Sequence, residues 1–160
     1  QDFRGSFKKL FCQNLFQEII NIKQINHSIT KEKGTLRGLH FQYSPYSETK
    51  IVSCLRGKVF DVAVDLRKGS STFLHYHAEL LTDYNNKSYF IPEGFAHGFQ
   101  TLTSNCEMLY FHTNVYNEKY EGVVNAIDPK IKINWPEKIT NISERDKKQT
   151  LLTNDFEGLI

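Results

Sequence analysis

The chain has 160 residues, and its 20 Lys and Arg against 18 Asp and Glu leave a formal charge of +2. That length suffices for one sizeable core, and so small a charge gives no argument for a nucleic-acid partner. The 39% hydrophobic, 13% aromatic and 24% charged composition is that of a globular protein, and no stretch approaches the roughly 20 apolar residues of a membrane span, so no membrane partner is expected.

Asp2-Phe3-Arg4-Gly5-Ser6-Phe7 reads as a turn feeding a strand, and residues 13–20 as a short helix with Leu15, Phe16, Ile19 and Ile20 on one side. Residues 21–29 alternate Ile22, Gln24, Asn26 and Ser28 against Lys23, Ile25, His27 and Ile29, the period of a strand with polar groups on one face. Past a polar turn at 31–34, the strand Leu36-Arg37-Gly38-Leu39-His40-Phe41-Gln42 carries an arginine, a histidine and a glutamine on an otherwise apolar stretch. Arg37 and His40 differ in parity, so a regular strand sends them to opposite faces unless a bulge at Gly38 re-aims one. A loop containing Pro45 leads to a strand at 50–55.

Residues 57–67 form the clearest strand. Phe60, Val62, Val64 and Leu66 share one parity and Asp61, Ala63 and Asp65 the other, so one face packs and the opposite face presents acids. Further strands are expected at 73–81, 88–91, 94–102 and 106–113, and the tail enters a brief helical turn capped by Ser143. About nine short strands, turn signals roughly every ten residues and little helix make the chain all-β, a sandwich or barrel. No repeat or linker divides it, so residues 1–160 read as one domain. Cys12, Cys54 and Cys106 are odd in number and widely spaced, which fits reduced thiols in a cytoplasmic protein.

Two chemistries suggest themselves. Pro92-Glu93-Gly94-Phe95-Ala96-His97 has the Pro-x-Gly-x-x-His spacing of a cupin metal motif, and Gly34 stands six residues before His40 as in that motif's first half. Gln42 nevertheless occupies the place of the second imidazole ligand, and a neutral amide is a poor ligand for a first-row metal. His75-Tyr76-His77-Ala78-Glu79 reads as an exposed polar face, and no metal is expected. The second chemistry is proton transfer. Arg37, His40, Lys50, His97, Tyr110, Tyr116 and Asp146 lie on separate elements, as when a pocket is built inside a barrel. An imidazole base needs a carboxylate to hold its tautomer, and Asp61, Asp128 and Asp146 are the available acids.

Taken together, Arg4-Gly5, the Leu36 to Gln42 strand, Gly57-Lys58-Val59-Phe60-Asp61-Val62-Ala63-Val64-Asp65-Leu66-Arg67, Ser71-Thr72-Phe73, Ile91-Pro92-Glu93-Gly94-Phe95-Ala96-His97-Gly98-Phe99, Asp128-Pro129, Trp135-Pro136 and Ser143-Glu144-Arg145-Asp146 resemble the dTDP-4-dehydrorhamnose 3,5-epimerase family. The matches run in family order from Arg4 to Asp146.

The resemblance implies a cupin-like jelly-roll barrel with short peripheral helices, a homodimer, and a cofactor-free epimerase acting on a nucleotide-linked 4-keto-6-deoxyhexose. It makes His40 the base, Asp146 the group orienting its ring, Tyr110 the acid on the opposite face and Lys50 the stabiliser of the enolate oxygen. Arg4, Gln24, Asn26, Arg37, His97 and Glu121 fall where the family contacts the sugar nucleotide, and Tyr116 where an aromatic stacks on the base. Lys9 stands where the family usually has a glutamate, a charge reversal near the nucleotide. The other reading that the motifs allow is a cupin that binds a metal or a sugar nucleotide without epimerising it.

Overall fold

The structure, a computed structural model, describes residues 2–5, 7–16 and 20–159. Ten strands dominate it: β1 (Gln24–Thr30), β2 (Thr35–Gln42), β3 (Lys50–Arg56), β4 (Lys58–Asp65), β5 (Tyr76–Thr82), β6 (Ser88–Ile91), β7 (Phe95–Thr101), β8 (Cys106–His112), β9 (Glu121–Val123) and β10 (Asn141–Ile142). Among the described residues, helix is confined to the four-residue α1 (Glu144–Lys147) and to 3-10 turns at Gln13–Leu15 and Glu118–Tyr120. Of the helix expected at 13–20, only that first turn forms among the described residues, and residues 17–19 lie outside them. The strand expected after Phe7 does not form there; a turn closed by the Asp2 to Gly5 bridge does.

A four-stranded antiparallel sheet runs β1-β8-β3-β6, and a six-stranded sheet runs β10-β2-β7-β4-β5 with β9 also paired to β2. This is the all-β architecture anticipated from the strand count, in the jelly-roll form that the family resemblance implies. One apolar cluster fills the space between the sheets with Val52, Cys54, Val59, Ala63, Leu81, Phe99 and Met108. A second lies on the back of the six-stranded sheet, where Leu36, Leu39, Phe41, Val62, Val64 and Leu66 meet Val124, Ala126, Ile131 and Trp135 of the C-terminal segment. At about 1.5–3 kcal/mol per fully buried large apolar side chain, this back cluster is what binds the irregular C-terminal segment to the sheet.

The six-stranded sheet is therefore covered on both faces, which changes the reading of β4. Its acid-bearing face is not presented to water: Asp61 and Asp65 are as buried as the valines between them. Asp65 accepts bonds from Arg67, Ser70 and Thr72 and organises the turn after the strand. Asp61 points between the sheets, into the region of the site.

Strand β2 is irregular where the sequence indicates. Its pairing with β7 shifts register between Arg37 and His40, and Gly38 sits there at φ +109°. A Cβ at Gly38 would lie 2.7 Å from the His97 carbonyl oxygen, so only glycine fits. The shift puts Leu36, Leu39 and Phe41 into the back cluster while Arg37 and His40 both face the space between the sheets.

Candidate active site

Between the sheets, above the inner apolar cluster, lies a cavity of about 820 Å³. The six-stranded sheet contributes Arg37, His40 and His97 to it, and the four-stranded sheet Asn26, Ser28, Lys50, Tyr110 and His112. Alternation explains the second group. Gln24, Asn26 and Ser28 on β1, Met108, Tyr110 and His112 on β8, and Lys50, Val52 and Cys54 on β3 stand opposite one another in register. The layer of Ser28, Met108 and Cys54 packs, the layer of Gln24, His112 and Lys50 is polar, and the layer between them sets Asn26 and Tyr110 beside Val52.

On the other wall, Ser143 caps the four-residue helix α1 by accepting from the Asp146 N–H at 3.1 Å, and the turn carries Asp146 under β2. His40 Nε2 lies 2.8 Å from Asp146 Oδ1. A carboxylate only accepts, so Nε2 donates to it and Nδ1 carries the basic lone pair; Arg145 Nη2, 3.0 Å from the same Nε2, is then a charged neighbour of the ring and not its hydrogen-bond donor. The second Asp146 oxygen accepts from the Gly38 N–H at 3.3 Å, so the residue that bends β2 also fixes the carboxylate. Burial by itself would raise the Asp146 carboxyl, but the His40 bond and charge, the Gly38 N–H and Ser143 outweigh it and hold it below the usual carboxylate range. Asp146 is 4% exposed and His40 29%, so the pair is anchored at its acid end and open at its base end. Of the three acids the sequence offers, Asp128 is excluded from this role: its oxygens accept from the Lys130 and Leu152 main-chain N–H groups.

A second imidazole–carboxylate pair lies deeper. His97 Nε2 is 2.8 Å from Asp61 Oδ1, with the side chains 6% and 0% exposed. The other oxygen, Asp61 Oδ2, is buried without a hydrogen-bond partner. Burial pushes the Asp61 carboxyl up, only partly offset by His97 and Lys50.

Facing these, the Tyr110 hydroxyl is 2.9 Å from Ser28 Oγ. Burial dominates its titration and pushes the phenol above its ordinary value, aided by the Asp61 charge and opposed by the Ser28 bond. The side chain stays protonated and ready to donate across the physiological range. Lys50 Nζ is 3.3 Å from the His40 carbonyl oxygen and 3.3 Å from Glu48 Oε1. A buried ammonium with a counterion is suited to meet negative charge developing on a ligand.

Arg37, Asn26 and His97 line the same cavity, and Arg37 Nε donates to Thr30 Oγ1 at 2.9 Å. Gln24, Tyr116 and Glu121 do not line the cavity but form a rim bonded to residues that do: Gln24 Nε2 donates to Asn26 Oδ1, Gln24 Oε1 accepts from the Tyr116 N–H at 2.8 Å, and the Tyr116 hydroxyl donates to Glu121 Oε2 at 2.9 Å. Arg145 connects that rim to the base, with Nη1 2.7 Å from Glu121 Oε2 and Nε 3.6 Å from Asp146 Oδ1. Arg4 is not brought in. Its side chain is 76% exposed and pairs with Asp2 on the N-terminal segment, where Lys9 is exposed as well.

Sequence reasoning missed Glu48, Ser28, His112 and Arg145. His112 shares the parity of Tyr110 two residues earlier, and Arg145 precedes Asp146, so both had a signal; Glu48 sits in an irregular loop and had none. Among the described residues, no three His, Cys, Asp or Glu side chains are grouped to hold a metal ion.

The family model for dTDP-4-dehydrorhamnose 3,5-epimerase matches residues 1–154. A dTDP-4-dehydrorhamnose 3,5-epimerase of Salmonella typhimurium is 44% identical over 156 residues, which are 94% of this chain and 85% of that protein. Among solved structures, dTDP-6-deoxy-D-glucose-3,5-epimerase of Legionella pneumophila in complex with dTDP-4-keto-L-rhamnose superposes with a TM-score of 0.88 at 38% identity, covering 94% of this chain and 82% of its own. A 3'-monoepimerase from Streptomyces bikiniensis in complex with dTDP-quinovose gives a TM-score of 0.87 at 29% identity, covering 94% of this chain and 78% of its own.

Proposed function

Because the chain belongs to the dTDP-4-dehydrorhamnose 3,5-epimerase family, we propose that it inverts C3, C5 or both of a nucleotide-linked 4-keto-6-deoxyhexose without a cofactor. The favoured conversion is dTDP-4-dehydro-6-deoxy-D-glucose to dTDP-4-dehydro-L-rhamnose. The C4 ketone acidifies the protons on both neighbouring carbons, and in a gluco-configured chair those two protons are axial on one face of the ring. A single base can therefore serve both centres.

In this reading His40 Nδ1 takes a proton while Asp146 holds the ring and stabilises the imidazolium. The electron pair moves onto the C4 oxygen, where Lys50 balances the charge. Tyr110 then returns a proton to carbon from the other side, and the configuration inverts. Arg37 and His97 receive the diphosphate, the guanidinium by pairing two oxygens at once. Gln24, Asn26 and Glu121 contact the sugar nucleotide, and Tyr116 stacks on the base.

The observation that carries the reading is the placement of His40 and Tyr110 on facing sheets of one cavity. NMR of dTDP-4-dehydro-6-deoxy-D-glucose incubated with the protein tests it. Inverted product is expected with the native chain and none above background with His40→Ala; product formed equally well by both refutes the reading.

The reading extends to a homodimer in the cytoplasm. Phe3, Phe7, Ile25 and Ile29 are 98%, 93%, 58% and 57% exposed, an apolar load that a second copy would cover, and an N-terminal segment exchanged between copies would give Arg4 a site in the partner's cavity. Light scattering at the mass of two chains is the expected result. The three free cysteines suit a reducing compartment, and no helix among the described residues is long and apolar enough to cross a membrane.

A further inference from the structure

The cavity wall bearing Tyr110 holds a third imidazole–carboxylate pair, for which the reaction above has no use. His112 Nδ1 is 2.8 Å from Glu48 Oε2, and the other Glu48 oxygen is 3.3 Å from Lys50 Nζ. All three side chains are at most 10% exposed. Lys50 and His112 are direct cross-strand partners of β3 and β8, and Glu48 enters from the loop two residues before Lys50.

The polarity of this cluster is determined from the rim inward. The Tyr116 N–H can only donate, so Gln24 Oε1 accepts it and Gln24 Nε2 donates onward to Asn26 Oδ1 at 3.1 Å. That turns Asn26 Nδ2 toward His112 Nε2, 3.4 Å away, which must then be an acceptor. The imidazole proton is thus on Nδ1 and points at Glu48. A carboxylate accepts from both sides, so one oxygen takes His112 and the other is left for the ammonium. Resting on the epimerase reading, we propose that His112 and Glu48 are positioning residues for Lys50, holding its ammonium where the enolate oxygen forms and tying it to the nucleotide rim at Gln24 and Tyr116.

The physical need is clear. An ammonium this buried requires a counterion, but a carboxylate free to rotate would draw the charge onto itself and away from the ligand. The Nδ1–H of His112 occupies one oxygen and fixes the other at a longer distance, so Lys50 remains shared between Glu48 and the His40 carbonyl. Burial opposes the Glu48 charge, yet His112 and Lys50 together keep the carboxyl below its ordinary range.

The test compares His112→Phe, which keeps a ring beside Tyr110, with His112→Asn, whose side-chain amide offers a donor near the place of Nδ1. With dTDP-4-dehydro-6-deoxy-D-glucose in deuterated buffer, His112→Phe is expected to lower kcat about tenfold, as loss of a supporting partner typically does, with KM within about twofold. Deuterium uptake at C3 and C5 should slow in the same proportion, because both enolates place their charge on the same oxygen. His112→Asn should recover to within about threefold of the native chain. Glu48→Gln should lower kcat similarly, and combining it with His112→Phe should add little. If His112→Phe leaves kcat and both uptake rates at the native level, or if Asn is no better than Phe, the assignment is wrong. The native chain and Lys50→Met are run alongside. A native chain that takes up no deuterium sinks the epimerase reading and this inference with it, whereas native uptake that Lys50→Met slows and His112→Phe does not sinks this inference alone.

Discussion

His40–Asp146 and His97–Asp61 have the same geometry, a ring nitrogen 2.8 Å from a carboxylate oxygen, and differ in everything around it. Asp146 has further donors in the Gly38 N–H and the capped turn and is held ionised, whereas Asp61 has an unpartnered oxygen and is pushed toward its protonated form. His40 is open to the cavity and His97 nearly closed off. The contrast shows that a short contact between imidazole and carboxylate does not by itself make a base. The carboxylate must be charged to stabilise an imidazolium, and the other ring nitrogen must be reachable.

Breaking the open pair should cost most. His40→Ala is expected to reduce epimerisation about 10⁴-fold, the upper range for loss of a positioned base, in a coupled assay of product formation. Tyr110→Phe, which removes the acid and keeps the ring, should cost about 10³-fold in the same assay. Asp146→Asn leaves His40 without its charged partner and should lower kcat about 10²-fold, the lower range for general acid–base catalysis, with little change in KM. Lys50→Met should cost about 10²-fold, corresponding to about 3 kcal/mol of lost enolate stabilisation.

The smallest effect sharpens the comparison through stability rather than rate. Asp146 has a depressed folded value, so its contribution is present above the unfolded aspartate value of about 3.9 and is lost as pH falls through the folded one. Asp61 has a raised folded value, so the folded state binds the extra proton and stability declines as pH rises from about 3.9 toward that value. Melting curves across this range should therefore show Asp146→Asn flattening the acid loss and Asp61→Asn flattening the decline with rising pH. Identical profiles for the two variants would remove the distinction between the pairs.

Much of this was legible before any coordinates. The parity break at Gly38, the Ser143 cap and the alternation that sets Gln24, Asn26 and Ser28 on one face of β1 are local properties, expressed in residue types at short spacing, whereas Lys50 and Tyr110 were placed at the site by resemblance. The burial of Asp61 was not legible, since it depends on the four-stranded sheet packing across the acid-bearing face of β4, and nothing within β4 records that cover. Strands β9 and β10, of three and two residues, are too short for any period to show. Arg4 was placed at the site by resemblance alone, and this single chain leaves it outside the cavity.

The central claim is that one imidazole withdraws the ring protons and a phenol across the cavity replaces them. Deuterium uptake at C3 and C5 in heavy water, followed for the native chain, His40→Ala and His97→Asn, tests it most directly. Uptake should vanish with His40→Ala and persist, at reduced affinity for the sugar nucleotide, with His97→Asn. Uptake that survives the first substitution and is abolished by the second would show that the buried pair, and not the open one, is the base.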